Sequence, residues 1–437
     1  MSVTRRTFLQ QSAAASLALS AAAKAQARAA ANEKAASRKV VVGMMGTNGR
    51  GTELAKLFAA QPGVEIAYIC DVDQNNAQKC ASAVNKAVGT SPQTISDFRR
   101  ILDDKAVDAL VVATPDHWHG PATILGCSAG KHVYCEKPAC HNPREGELMV
   151  EAARKNKRAV QLGTQRRSMP ALREAVDRMQ NEQVLGRLLM ARANYFNPRA
   201  ALGPRVAAEC PATLDYALWQ GPAPEVAYGE WPENPTHFHY HWHWLWNWGT
   251  GEVGNNGVHM IDVCRWGLGV EYPTRVDSAG GRYRYHDSQE TPDTNLVTIE
   301  CGDKAIVWEQ RSWYKPGKET KVDGTYEVAF FGEKGVLTYG GGSYQIYDNA
   351  GKQIDKQSAS ASPAQHVENF LAAVRDGEAL NAEIAEGVKS TLMCQLANIA
   401  YRTGRPAVLD PQSHRVADAE QMKLWSREYR PGWEPKV

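Results

Sequence analysis

The chain has 437 residues, 43% of them hydrophobic, enough for two or three packed domains. Its formal net charge of +2 falls to −1 once Arg5, Arg6 and Lys24 of the leader are set aside. A body so close to neutral has no field for gripping nucleic acid or anionic lipid, and neither is expected as a partner.

The N-terminus, Thr4-Arg5-Arg6-Thr7-Phe8-Leu9, is polar and carries paired arginines, and a mildly apolar stretch from Ser12 to Ala23 follows. Small residues at Ala23-Lys24-Ala25 and Ala25-Gln26-Ala27 fit a cleavage site. The pattern reads as a twin-Arg export signal, the kind that carries folded proteins with their cofactors, here to the periplasm. Its apolar stretch is well short of the roughly 18 residues a membrane span needs, and no later segment reaches that length.

From Lys39 to about Arg167, apolar runs alternate with helix-like stretches. The runs are Lys39–Met45, Val64–Cys70, Ala109–Ala113, His132–Cys135 and Ala159–Leu162. That rhythm reads as βαβ units on a parallel sheet. Beyond Arg167, Arg187–Phe196, Asn295–Glu300, Ala305–Trp313, Tyr326–Phe331 and Gly335–Tyr339 look like strands with few helices between them, and Gly332-Glu333-Lys334-Gly335 reads as a hairpin turn. Ala364 to about Thr403 is strongly helical, with Gly404 as its stop. Nine cysteines, none in a C-x-x-C pair, speak against a zinc site or disulfide scaffold. Cys70, Cys127 and Cys135 read as buried, inert thiols.

The first strand runs into Gly46-Thr47-Asn48-Gly49-Arg50-Gly51. Backbone N–H groups at a helix start hold a pyrophosphate only where side chains leave room, which is what such glycines provide. Asn48 occupies the middle glycine's place, and asparagine tolerates positive φ better than other side chains do. The second strand ends at Asp71, about 25 residues beyond Gly46. A carboxylate there hydrogen-bonds the adenosine ribose and repels a 2′-phosphate, so Asp71 favours NAD over NADP. Asp73 competes for this role but lies further past the strand.

Ala113-Thr114-Pro115-Asp116-His117-Trp118-His119 and Val133-Tyr134-Cys135-Glu136-Lys137-Pro138 resemble the Gfo/Idh/MocA oxidoreductases, as do Gly251 to Trp266 and the helix opening His366-Val367-Glu368-Asn369-Phe370. The likeness spans essentially the whole chain after the leader. It implies an α/β chain in which a Rossmann domain, a doubly wound parallel sheet, precedes an α+β domain with a large, open, mostly antiparallel sheet. The boundaries expected are 1–37 for leader and linker, 38–165 for the NAD-binding domain, 166–363 for the substrate domain and 364–437 for a helical segment completing the fold.

The resemblance also implies site roles. Glu136 and Lys137 would border the nicotinamide, Lys137 would contact the reacting hydroxyl, and Thr114, Pro115 and His119 would line the cofactor cleft. The family's Asp and His, four residues apart on a helix, correspond to Asn255 and His259. An amide cannot accept a proton, so the base role falls to His259, Lys137 or a nearby carboxylate such as Asp262. A sugar or polyol substrate and a homo-oligomer are implied as well.

The segment His237-Phe238-His239-Tyr240-His241-Trp242-His243-Trp244-Leu245-Trp246-Asn247-Trp248 alternates histidines with aromatics. It reads as a substrate wall in which Tyr240, His241 and Trp242 touch the sugar, as an extended metal-binding face, or as a packing loop; no metal is expected. Arg167 is a further candidate for a substrate contact, with a solvated surface arginine as the alternative. Three functions remain open. The first is an exported NAD-dependent oxidoreductase acting on a secondary sugar hydroxyl with a tightly held cofactor. The others are a redox-neutral, NAD-dependent glycosidase and a periplasmic binding protein that keeps NAD as a structural ligand.

Overall fold

The computed structural model describes residues 38–233, 238–314 and 326–437. The expected leader therefore lies outside the described residues, as does His237 of the histidine segment. Among the described residues no helix is long and apolar enough to cross a membrane.

The first domain is a six-stranded parallel sheet ordered β3-β2-β1-β4-β5-β6, from β1 (Val40–Met45), β2 (Val64–Cys70), β3 (Gln93–Ile95), β4 (Ala109–Val112), β5 (His132–Cys135) and β6 (Val160–Leu162). This is the Rossmann order, whose reversal between β1 and β4 opens a crevice at the strands' carboxyl ends. Helices α1 (Arg50–Ala59), α2 (Gln74–Val88), α3 (Arg99–Asp103), α4 (Asp116–Ser128) and α5 (Pro143–Lys155) make the crossovers. Their ends follow from local chemistry. Asp73 caps α2 by accepting from Asn75 N–H, and Gly89 ends it at φ 75°. Asn142 caps α5 just before Pro143 in its first turn. The edge strand β3 escaped the sequence reading because only Ile95 of its three residues is buried.

The second domain is a nine-stranded sheet. Its order is β16-β15-β14-β13-β7-β12-β11-β10-β17, from β7 (Leu188–Phe196), β10 (Arg275–Gly281), β11 (Thr294–Cys301), β12 (Lys304–Arg311), β13 (Val328–Gly332), β14 (Gly335–Gly340), β15 (Ser343–Asp348), β16 (Gln353–Ser358) and β17 (Ala407–Val408). A separate ribbon joins β8 (Val206–Ala207) to β9 (Gly229–Glu230). Every pairing in the large sheet is antiparallel except β7 with β12. Gly332 pairs with Gly335 across the expected hairpin turn. In β11, Asn295, Val297, Ile299 and Cys301 are buried while Leu296, Thr298 and Glu300 are exposed, so only one face of the sheet is covered.

That face packs under α6 (Pro170–Gln180), α9 (Val258–Leu268) and α11 (Ile384–Thr403), with Trp308, Phe330 and Ile261 at the centre of the core. Between β7 and α9 lie two short helices, α7 (Tyr216–Gln220) and α8 (Phe238–His241). The region 364–403 is not one helical stretch: α10 (Ala364–Asp376) ends at Gly377, φ 73°, and α11 ends at Gly404, φ 64°. The break lets the two helices serve different cores. Val367, Phe370 and Leu371 of α10 return to the first domain against Val42, Met44 and Phe58, whereas Met393, Leu396 and Ala400 of α11 stay with the second.

Candidate active site

A cleft of about 450 Å³ lies between the two domains at the carboxyl ends of β1, β2, β4 and β5. Its floor is the turn after β1. Gly46 sits at φ 82° and its N–H donates to Cys70 O at 2.9 Å; a Cβ there would lie 2.7 Å from Ala113 O and Thr114 N. A Cβ at Gly51 would overlap Gly46 O. Gly49, φ 40°, faces open space at the start of α1, where first-turn N–H groups have no helical partner. Asn48 does not take a positive φ, contrary to the expectation for it; Gly49 absorbs the left-handed turn instead.

Asp71 closes the end of the cleft past β2. Its Oδ2 accepts from Thr47 N–H (2.8 Å) and Thr47 Oγ1 (2.9 Å), and its Oδ1 accepts from Asp73 N–H (3.0 Å). Burial raises its pKa, and these donors oppose the shift. Asp73 instead caps α2 and pairs with His239 Nε2 at 2.9 Å. A strand-like strap from the second domain crosses here. Leu214 bridges Asp73, Gln74 N–H donates to Thr213 O at 3.0 Å, and Asp215 N–H donates to Val72 O at 2.9 Å. The strap leads into α7 and brings Leu218 and Trp219 onto the cleft wall.

At the opposite end stand Glu136 and Lys137, just past β5. Buried Glu136 accepts from Arg50 Nε at 2.9 Å and lies flush against Gly163, where a Cβ would sit 2.8 Å from its carboxylate. Lys137 Nζ donates to Asn255 O and Asn255 Oδ1, each at 2.8 Å. Burial depresses the lysine pKa, while Glu136, Asp116 and Glu252 work to raise it. His119 is wedged with Nδ1 2.6 Å from Pro138 O and Nε2 2.9 Å from Thr114 O, which fixes the β4–α4 junction against the Glu-Lys-Pro segment.

The facing wall is a π-helical turn, Val253–Gly257, that runs into α9. Gly257 lets it sit on the Trp308 indole, 3.0 Å from where a Cβ would be. Asn255, Asn256 and His259 all reach the cleft. Burial holds His259 well below the usual histidine range, assisted by the Lys137 charge, and its Nδ1 is buried without a partner. Tyr240, Trp242 and His243 complete this wall.

Three expectations are corrected: His241 and Arg167 as substrate contacts, and Asp262 as a substrate contact or base. The extended metal-binding face read for the histidine segment does not form either. The histidine segment is not extended: it forms α8 and then a 3-10 turn, Trp242–Trp244, so alternate residues do not share a face. His241 consequently turns away and packs edge-on to Trp231, with ring centroids 4.8 Å apart. Arg167 is neither a substrate contact nor a solvated arginine. It is buried, with Nε and Nη2 donating to Asp262 at 2.7 to 3.0 Å. Asp262, fully buried and also bonded by Ser390 Oγ at 2.7 Å, is no base: burial works against its charge, yet Arg167 holds its pKa below the carboxylate range. Among the described residues no group of three or more His, Cys, Asp or Glu side chains converges as a metal site.

Asp116, Asn256 and Gln165, not singled out from sequence, also line the cleft, as do His239 and His243 of the histidine segment. Asp116, buried and accepting from Thr250 Oγ1 at 2.6 Å, stood inside a quoted motif; Gln165 carried no motif at all. The cleft fits a dinucleotide. The space beside Gly49 is open, and Thr114 Oγ1, Gln165 Oε1 and His259 Nδ1 are buried on the wall without a protein partner.

A Rossmann sheet sharing its crevice with an open-sheet α/β domain defines the architecture of a dinucleotide-dependent oxidoreductase. The model of the GFO_IDH_MocA oxidoreductase family, NAD-binding Rossmann fold, matches residues 38–164, and that of its C-terminal alpha/beta domain matches residues 203–435. The chain belongs to this family, and its first domain binds NAD. A glycosyl hydrolase family 109 protein of Saccharopolyspora erythraea is 33% identical over 212 residues, 44% of this chain and 46% of that protein. Inositol 2-dehydrogenase of Salmonella paratyphi B is 27% identical over 162 residues, 36% of this chain and 45% of that protein. The chain thus spans about half the length of these curated relatives. Among solved structures, levoglucosan dehydrogenase in complex with NADH and levoglucosan shares the fold. Its TM-score is 0.65 at 17% identity, covering 85% of this chain and 99% of that one.

Proposed function

We propose that the chain is an exported, NAD-dependent oxidoreductase that acts on a secondary hydroxyl of a sugar or sugar derivative and holds its cofactor tightly. NAD, when bound, exchanges a hydride with the hydroxyl-bearing carbon. The glycine turn Gly46–Gly51 would hold the pyrophosphate, Asp71 the ribose, and Thr114, Pro115, His119 and Glu136 the nicotinamide side.

The observation that carries the reading is the Lys137 ammonium. Two of its three N–H donors are taken by Asn255, which leaves one for a substrate oxygen in the cleft. There it stabilises alkoxide character as the hydroxyl loses its proton. His259, kept neutral by burial and with a free ring nitrogen on the cleft wall, takes that proton. The aromatic wall of Tyr240 and Trp242 offers faces for sugar C–H groups.

Retention of the cofactor is supported by the strap over Val72–Gln74 and by the His239–Asp73 pair beside Asp71. Export rests on the twin-Arg leader, and pairing of two copies on the uncovered face of the large sheet, where Leu296 is 53% exposed. The test is to denature protein purified from the periplasm without added cofactor and to identify the released nucleotide by mass. Near-stoichiometric NAD, followed by sugar-dependent changes in nicotinamide absorbance, is the expected result. Empty protein that also fails to bind added NAD overturns the reading.

The similarity to glycosyl hydrolase family 109 proteins favours one second reading, a redox-neutral glycosidase. His259 would then also serve as the base for a ring C–H proton. Cleavage of an aryl glycoside without added oxidant, with solvent deuterium entering the sugar ring, identifies that reaction. Bound NAD whose absorbance responds to no sugar identifies a binding protein instead.

A further inference from the structure

We infer that Glu252 supplies, one side chain behind the cleft, the negative charge that an aspartate at position 255 would carry, and that it sets the orientation of Asn255 and Asn256. The inference rests on the oxidoreductase reading above and names a positioning residue for that site.

Glu252 is fully buried and its carboxylate is saturated with donors. Arg199 gives Nε to Oε2 at 2.7 Å and Nη2 to Oε1 at 3.2 Å; Ser312 Oγ approaches Oε2 at 3.4 Å. The remaining partners are the amide nitrogens of the two asparagines, Asn256 Nδ2 in close contact and Asn255 Nδ2 at 3.5 Å, both on Oε1. An ionised carboxylate only accepts, so it draws the Nδ2 end of each amide towards itself. For Asn255 this leaves Oδ1 to accept the hydrogen bond from Lys137 Nζ at 2.8 Å. For Asn256 it leaves Oδ1 as the end not held by Glu252, on a residue of the cleft wall. A carboxylate, an amide and an ammonium thus stand in series, and the amide dipole carries the polarity of Glu252 to Lys137.

Arg199 ties the same pair to the aromatic wall. Its guanidinium lies 4.6 Å over Trp244 and donates to Tyr240 Oη at 2.7 Å. The groups acting on Lys137 are Glu136, Asp116 and Glu252, which favour its charge, and burial and Arg50, which oppose it; His243 and His259 stand across from it and feel its charge. Around Glu252 the charged or titratable groups are Arg199, Tyr195 and Lys137. Without Glu252 the ammonium loses one of its three carboxylates, and Asn255 becomes free to flip.

The test uses the full chain with NAD bound and compares Glu252→Gln, Asn255→Asp and the double variant with both changes. Expected for Glu252→Gln is retained NAD, a kcat lowered at least about tenfold with little change in KM, and a basic limb of the kcat profile moved to lower pH. The double variant, which returns the charge at the neighbouring position, recovers both rate and limb. Asn255→Asp alone leaves the Arg199 pair intact and sets two carboxylates against each other, so its kcat falls below wild type. Three results overturn the inference: a Glu252→Gln profile with an unmoved basic limb, a double variant no faster than Glu252→Gln, or an Asn255→Asp enzyme faster than wild type. The last is decisive even where Glu252→Gln fails to fold. An inactive Lys137→Ala beside any of these sinks this inference alone, whereas a fully active Lys137→Ala sinks the oxidoreductase reading.

Discussion

Arg50 Nε donates to Glu136 Oε1 over 2.9 Å, joining the glycine turn after β1 to the segment after β5, two strands away in the sheet. One cation–carboxylate pair therefore ties the floor of the cleft to its Glu136–Lys137 end. Arg50 is part-exposed while the Glu136 side chain is almost wholly buried, so the geometry depends on what presses Glu136 from behind, and that is Gly163.

Gly163→Ala places a methyl 2.8 Å from the Glu136 carboxylate, so that side chain must shift from its place against Arg50 towards the cleft it lines. Expected is a loss of about 1–3 kcal/mol of stability together with weaker NAD binding. Chemical denaturation with and without NAD checks both; an unchanged midpoint and affinity refute the argument.

Lys137→Ala should keep NAD bound, because the ammonium bonds Asn255 and faces the substrate space. Turnover should drop at least about a hundredfold. Steady-state rates on any sugar that changes the nicotinamide absorbance, with the nucleotide content of the same preparation, make the measurement.

Asp71→Ser removes the buried carboxylate proposed to meet the adenosine ribose. Affinity for NADP relative to NAD should rise by at least about tenfold, or ~1.4 kcal/mol. Competition binding of the two nucleotides decides it. The Thr47 hydrogen bonds to Asp71 make some loss of NAD affinity part of the same expectation.

Burial pushes the His117 pKa down to about 3 and that of His366 down to about 4. In the unfolded chain both take up protons near the ordinary value of about 6.5. Over that interval the unfolded state binds more protons, so stability falls as pH drops through 6.5 towards 4, by up to ~1.4 kcal/mol per unit for each histidine. Above 6.5 neither contributes a slope. Urea midpoints across this range should steepen on the acid side for wild type, and His366→Asn should flatten the limb by one proton.

The parallel sheet was legible because its strands read as short, mainly apolar runs, fully buried in β4 and partly so in β2. Val64–Cys70 and His132–Cys135 were placed to the residue. The outer strands of the second sheet were not. β15 and β16 carry Gln345, Gln353 and Lys356 on a one-sided or edge surface that needs little hydrophobic content. In the site, a motif with its own backbone demand could be read: the glycine turn, Glu-Lys-Pro, and Asn255 with His259. Arg167 and Asp262 misled because a charged residue beside a motif looks functional until its partner is known, and each is the other's partner. Of the three readings open for the histidine segment, the extended face failed: the segment is helical, with Phe238 and Trp248 packed against Trp219, while Tyr240 and Trp242 do line the cleft.

The pairing of Leu214 with Asp73, with its flanking bonds from Gln74 and Asp215, is made of backbone hydrogen bonds between the two domains. On the proposed reading, a nucleotide seated beneath it would leave only as those bonds break together, so its off-rate would measure a local opening equilibrium rather than the strength of any one contact. Mild denaturant would then accelerate nucleotide loss long before the sheets melt, and amide exchange at Gln74 and Asp215 would keep time with it.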